Sequence, residues 1–231
     1  MKWEELTKSK HEGGMGFRDL ALFNDSLLAK KAWWLLKNQD SLFYKVFKAR
    51  FFPKCSIMEA KNSRGGSYAW SSTLHGRDVL ERGCRWRIGN GKSVGIWESN
   101  WLPRKQALQV LSPICETLAE ARVKILIDSE LRQWNHGMVE GIFVQEEAEL
   151  IKNFPLPTET CEDSLFWPFT HNEVYNSKSG YRFLKAEGAP NVESELVALE
   201  KTMWKEVWSL QIPNKMGNLL WRACWNSLPT K

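Results

Sequence analysis

The 231-residue sequence predicts an α+β fold that is mainly α, made of helical hairpins with one or two small antiparallel β-hairpins. Two observations carry this. Apolar residues recur at helical spacing in most segments that are bounded by capping residues or helix breakers. The β signals are short runs around Gly89-Asn90-Gly91 and around residues 165–175, with a further short run at residues 122–127.

Taken in order, the chain opens on a glycine-rich loop, with Phe17 and Leu20 as core anchors. Asn24 or Asp25 is expected to cap a helix running to about Lys37, with Leu28, Ala32, Leu35 and Leu36 at helical spacing. A second helix starts at Asp40 or Ser41 and stops at Pro53. The short link between the two predicts an αα-hairpin. A third helix is expected from Tyr68 to Arg82, with Gly83 just past its end. Asn-Gly then favours a type I′ hairpin, because both turn residues must tolerate positive φ. Alternation places Cys84, Trp86 and Ile88 on one face of its first strand and Arg85 and Arg87 on the other. Residues 104–113 read as loop. "RVKILI" reads as a short strand, and Asp128 or Ser129 as the cap of a helix through Trp134. Short helices follow at Met138–Phe143 and Glu146–Lys152, then a small hairpin around "THNE" and a Ser177-capped helix through Lys185. Residues 186–200 read as a linker or a frayed helix, and helices at about Thr202–Leu210 and Lys215–Asn226 close the chain.

The net charge of +5 is unevenly spread. Residues 1–110 hold 20 Lys+Arg and 10 Asp+Glu, a net +10, and the remainder holds 12 and 17, a net −5. A basic half attracts phosphate backbone. The candidate contacts are Lys30, Lys31, Lys45, Lys48 and Arg50 on the helical hairpin, and Arg85, Arg87 and Lys92 on the β-hairpin. Trp97 and Trp101 are candidate base-stacking rings beside that β-hairpin, although most of the 13 Trp are expected in the core.

Catalytic constellations are missing from the sequence. No Asp-Asp pair is present to hold two metal ions for phosphoryl transfer. "GNGKS" at Gly89–Ser93 is like the tail of a phosphate loop, but Trp86 stands where that pattern needs glycine. The five cysteines are scattered without a C-x-x-C pair or a Cys/His cluster, so no metal site and no cofactor are expected. Their spread fits an intracellular protein of the nucleus or cytoplasm. The charged N-terminus is unlike a signal peptide, so secretion is not expected. No apolar run is long enough to span a membrane, and no small-molecule substrate is implied.

Several stretches in succession carry a family resemblance: "GGMGFRDL", "FNDSLLAKKAWWLL", "KARFFP", "SYAWSSTLHGRDVLERGCRWRIGNGKSVGIWESNWLP" and "VWSLQIPNKMGNLLWRACWNSLPTK". Together they resemble plant LINE-type (non-LTR) retrotransposon polyproteins, in the region between the reverse transcriptase core and the ribonuclease H domain. The resemblance implies a post-palm, thumb- or connection-like region over residues 1–155. Over residues 156–231 it implies the front part of a reverse transcriptase zinc-binding-type domain, with its metal ligands expected beyond Lys231. Cys224 does not match a ligand position. The implied function is non-catalytic binding of RNA or RNA–DNA hybrid backbone, or a remnant without a selected function. A protein–protein interaction or structural module is the alternative reading.

Overall fold

The computed structural model of the protein describes residues 2–62, 66–102, 110–128, 130–159, 161–188 and 195–228, the side chains of 195–198 excepted. Among these residues the architecture is mainly α with two small two-stranded antiparallel sheets, the class that the periodicities predict. The helices are α1 (Trp3–Thr7), α2 (Leu20–Lys37), α3 (Leu42–Phe51), α4 (Tyr68–Gly83), α5 (His136–Ile142), α6 (Gln145–Lys152), α7 (Ser177–Glu187), α8 (Glu195–Ser209) and α9 (Asn214–Cys224). The strands are β1 (Arg85–Arg87), β2 (Ile127–Asp128), β3 (Gln133–Trp134) and β4 (Ser164–Phe166).

Contacts gather the chain into two compact units, Ser26–Phe183 and Met1–Asp25 with Leu184–Lys231. Strand pairing ties residues 164–166 back to residues 85–87 within the larger unit.

Local chemistry accounts for the helix starts. Helix α2 begins before the expected Asn24 or Asp25 cap, since the Asp19 carboxylate accepts from the Ala21 N–H (2.9 Å) and the Leu22 N–H (3.2 Å). Ser41 caps α3 by accepting from the Tyr44 N–H at 3.2 Å, and Ser67 caps α4 by accepting from the Trp70 N–H at 3.3 Å. Asn176, rather than Ser177, caps α7 through the Ser179 N–H (2.9 Å). Helix α8 starts within the expected linker at 186–200, of which residues 189–194 lie outside the described residues. The expected loop at 104–113 is described only from residue 110.

Among the described residues, two clusters illustrate the core of the larger unit. In one, Trp70 is fully buried against Phe51 (ring centroids 4.8 Å apart, planes 4° apart) and Phe52 (5.5 Å), which joins α4 to α3. Helices α2 and α4 touch backbone to backbone at Gly76, where a Cβ would meet the Leu28 carbonyl. Gly83 is the last residue of α4 rather than the one after it, and a Cβ there would strike the Trp167 ring. The other part gathers Ile88, Val94, Ile96, Trp101, Leu126 and Ile151 around α5 and α6.

The expected Asn-Gly hairpin does not form. Strand β1 pairs instead with β4, Arg85 opposite Phe166 and Arg87 opposite Ser164. Gly91 has a φ of 66° while Asn90 is not among the positive-φ residues, so a type I′ turn is excluded. The expected helix at 128–134 is replaced by the β2–β3 pair. There the Asp128 carboxylate accepts from the Glu130 and Leu131 N–H groups (2.9 and 3.1 Å) and Arg132 takes a φ of 54°, which turns the chain back. Ser129, the other expected cap, lies outside the described residues. Around "THNE" the Trp167 N–H donates to the Glu173 carbonyl (3.0 Å), but the strand before it is β4, whose partner is β1.

In the smaller unit the glycine-rich opening is tightly held. The indole N–H groups of Trp221 and Trp225 both donate to the Gly13 carbonyl, at 2.7 and 2.8 Å. Gly13 sits at a φ of 81°, and a Cβ there would run into the Trp204 indole.

Candidate nucleic-acid interface

The α2–α3 hairpin presents the larger set of predicted cations. Lys30, Lys31, Lys45 and Arg50 are exposed, and among the described residues no carboxylate forms an ion pair with Lys30, Lys31 or Lys45. Sequence explains this openness. Residues 26–58 contain seven Lys+Arg and one acidic residue, Asp40. Lys48 differs from its neighbours. It is half-buried, its ammonium donates to the Cys55 carbonyl (2.8 Å) and it lies over the Phe52 ring, so it fastens α3 to the following loop. Lys37 is similarly engaged, donating to the Leu165 carbonyl at 2.7 Å; desolvation by burial lowers its pKa.

The β1 region holds its predicted cations differently. The Arg87 guanidinium grips the Glu173 carboxylate through two contacts of 2.6 and 2.7 Å and lies over the Phe166 ring. Its charge is thereby largely offset within the chain. Arg85 is half-buried in β1, and Lys92 is exposed on the loop beyond it. The three do not form the predicted clamp on one rigid hairpin, because that hairpin is absent.

The loop at Gly89–Ser93 is a cradle of backbone N–H groups, as its likeness to a phosphate loop suggests. Its anion is internal. Asp163 accepts from the Gly89 and Gly91 N–H groups through one carboxylate oxygen and from the Ser93 N–H through the other, all at 2.8 Å. We expect Asp163→Ala to cost on the order of 2–3 kcal/mol in urea denaturation, because it leaves three N–H donors without their charged acceptor. Asp163→Asn should recover part of that loss; a full-strength Asp163→Ala would show that the cradle contributes nothing.

Trp97 and Trp101 correct the sequence reading. They are 6% and 1% exposed, and their indole N–H groups donate to the Leu118 carbonyl (2.9 Å) and the Ile96 carbonyl (3.0 Å). Trp101 also stacks on Trp134 at 5.8 Å. Neither ring face is open to a base, since both are consumed by the core.

Rings that are open sit elsewhere. Trp34 is 42% exposed and Phe43 43%, and they meet edge to face at 5.8 Å. The sequence contained the signal. Trp34 lies three and four residues from Lys31 and Lys30, so all three share one face of α2, whereas Trp33 points into the core at 6% exposed.

Cys84 is buried and beside Lys37; burial pushes its thiol up to about 12, so it is protonated at neutral pH and a poor nucleophile or metal ligand. Among the described residues no three His, Cys, Asp or Glu side chains gather as a metal site would need, and no helix is long and apolar enough to cross a membrane.

Comparison with known proteins finds relatives of this sequence in Arabidopsis thaliana. Over 111 residues the chain is 39% identical to an Arabidopsis thaliana protein named "Uncharacterized mitochondrial protein AtMg00310", which covers 48% of this chain and 72% of that protein. The chain belongs to the family of that protein. A second Arabidopsis thaliana relative, named "Putative ribonuclease H protein At1g65750", is 24% identical over 229 residues. That match covers 96% of this chain and 35% of the relative, so the chain spans about a third of its length. No family model matches the chain, and no solved structure does.

Proposed function

We propose that this protein is a non-catalytic segment derived from a plant LINE-type retrotransposon polyprotein, and that its α2–α3 face grips the backbone of RNA or of an RNA–DNA hybrid. The observation that carries this reading is the seven-to-one excess of cations over carboxylates across residues 26–58, with Lys30, Lys31 and Lys45 exposed and without ion-pair partners among the described residues. Side chains held open in this way release counterions from phosphate on contact, which gives sequence-tolerant and salt-dependent affinity. The near full-length similarity to a relative named for ribonuclease H supports descent from a nucleic-acid-processing polyprotein. On this reading the reverse transcriptase core, the metal ligands of the zinc-binding-type domain and the ribonuclease H centre belong to other parts of such a polyprotein. This chain supplies grip and no turnover.

The test is a fluorescence anisotropy titration of the whole chain at several salt concentrations. Affinity should fall steeply with salt. The double variant Lys30→Glu/Lys31→Glu should bind at least about tenfold more weakly, with the slope of log K against log salt reduced by roughly two. Salt-independent binding, or a double variant equal to the wild type, would remove the proposal.

A second reading is favoured by one observation. In the smaller unit an open groove of about 1210 Å³ is lined by Leu6, Met15, Phe17, Leu219, Trp221 and Leu228 among others. Phe17, Leu219 and Leu228 are exposed there, as expected of a surface that meets another protein.

A further inference from the structure

We infer that the Trp34–Phe43 ring pair is a stacking platform for unpaired bases, which makes single-stranded nucleic acid the preferred ligand of the α2–α3 face. This rests on the backbone-binding reading above and adds the class of strand.

The sequence context of the rings sets the geometry. Leu27, Lys30, Lys31 and Trp34 are all exposed on α2. At about 3.6 residues per turn, Leu27 and Trp34 fall nearly in line along the helix, with Lys30 to one side of that line and Lys31 to the other. Phe43, from the start of α3, closes the far side of Trp34 at 5.8 Å with planes 62° apart. Phe47 stands behind Phe43 at 4.2 Å and itself packs on Trp70 at 6.1 Å. The outer ring is thus backed by the buried core and is held in place before any ligand arrives.

A part-exposed indole with one ring packed against it, on the helix face that also carries two exposed lysines, matches what an unpaired nucleotide offers. The base brings a π face to the indole and the adjoining phosphates bring charge to Lys30 and Lys31. A hybrid duplex brings only its phosphates, because its base faces are already stacked on one another. A purely apolar protein partner would bury Trp34 but would also desolvate Lys30 and Lys31 without paying for it, which is unfavourable. Charge complementarity therefore selects a polyanion with free rings.

The experiment uses the whole chain, a labelled oligouridylate and a labelled RNA–DNA hybrid of equal length, titrated at low salt. Wild type is expected to bind the single strand more tightly than the hybrid. Trp34→Ala should weaken single-strand binding about tenfold and hybrid binding less than threefold. Trp34→Tyr, which keeps a stacking face, should recover most of the single-strand affinity. Circular dichroism serves as the folding control. Three results would overturn the platform: equal loss on both ligands, no loss on either, or loss of self-association without loss of oligonucleotide binding. If Lys30→Glu/Lys31→Glu abolishes binding while Trp34→Ala has no effect, the backbone-binding function stands and only the platform falls. If wild type binds neither ligand, both fall together.

Discussion

Trp70→Ala should destabilise the protein by about 3–5 kcal/mol, the range for deleting a large aromatic side chain from a packed core. Trp70 is fully buried, and three rings of α3 or its C-terminal edge pack on it: Phe51 at 4.8 Å, Phe52 at 5.5 Å and Phe47 at 6.1 Å. Removing the indole empties the space between α3 and α4, and stiff aromatic neighbours cannot collapse into it without leaving their rotamers. Typical folded domains are stable by only about 5–15 kcal/mol, so this single change takes a large share. Guanidinium denaturation followed by circular dichroism measures it. A functional consequence follows as well, because Phe47 links Trp70 to Phe43 and so to the exposed ring of Trp34. Oligonucleotide affinity should drop in the variant even though Trp70 touches no ligand. A loss below about 1 kcal/mol would show that the α3–α4 contact is far looser than the ring stacking indicates.

Glu147→Ala is expected to cost at least about 3 kcal/mol, because buried donors left without an acceptor each cost roughly 1–3 kcal/mol. Glu147 is fully buried. Its carboxylate accepts from the Leu111 N–H (2.8 Å), the Ser112 N–H (2.9 Å) and the Ser112 hydroxyl. That hydroxyl in turn accepts from the Val144 N–H at 2.8 Å. Val144 is the N-cap of α6 and Glu147 its third helical residue, so the Ser112 hydroxyl, from a distant segment, bridges the N-cap N–H to the Glu147 carboxylate. Glu147→Gln should be milder, since an amide oxygen still accepts two of these bonds, and Ser112→Ala should fall between the two. Thermal unfolding of the three variants ranks them. An order in which Glu147→Gln is the worst would mean that the network depends on charge more than on hydrogen bonding.

The helices were legible because their signals are local. Ser41 and Ser67 stand one residue before α3 and α4, and Pro53 limits α3 to the stretch that the pattern predicts. The starts of α2 and α7 are also set locally, by Asp19 rather than Asn24 or Asp25 and by Asn176 rather than Ser177. Of the candidate side chains, Lys30, Lys31, Lys45 and Arg50 are exposed, whereas the rings of Trp97 and Trp101 are buried. Lys30, Lys31, Lys45 and Arg50 are solvated simply because few carboxylates lie near them in sequence. Which of the 13 Trp are covered depends on neighbours far along the chain, as with Trp101 against Trp134. Trp97 and Trp101 were candidates by their closeness in sequence to the basic strand, and the structure buries both.

Sequence alone determined the helical class, the excess of positive charge in the first half and the Ser41 cap of α3, because periodicity, composition and a local cap need no contact with distant parts of the chain. Tertiary structure alone decided the partner of β1, the burial of Trp97 and Trp101 and the neutralisation of Arg87 by Glu173. It also decided that the Gly89–Ser93 cradle encloses Asp163. In each of these cases a polar or aromatic group had two possible partners, water or a distant part of the chain. The outcome rests on the free energy of desolvation and packing across the whole unit, which no short window of sequence contains.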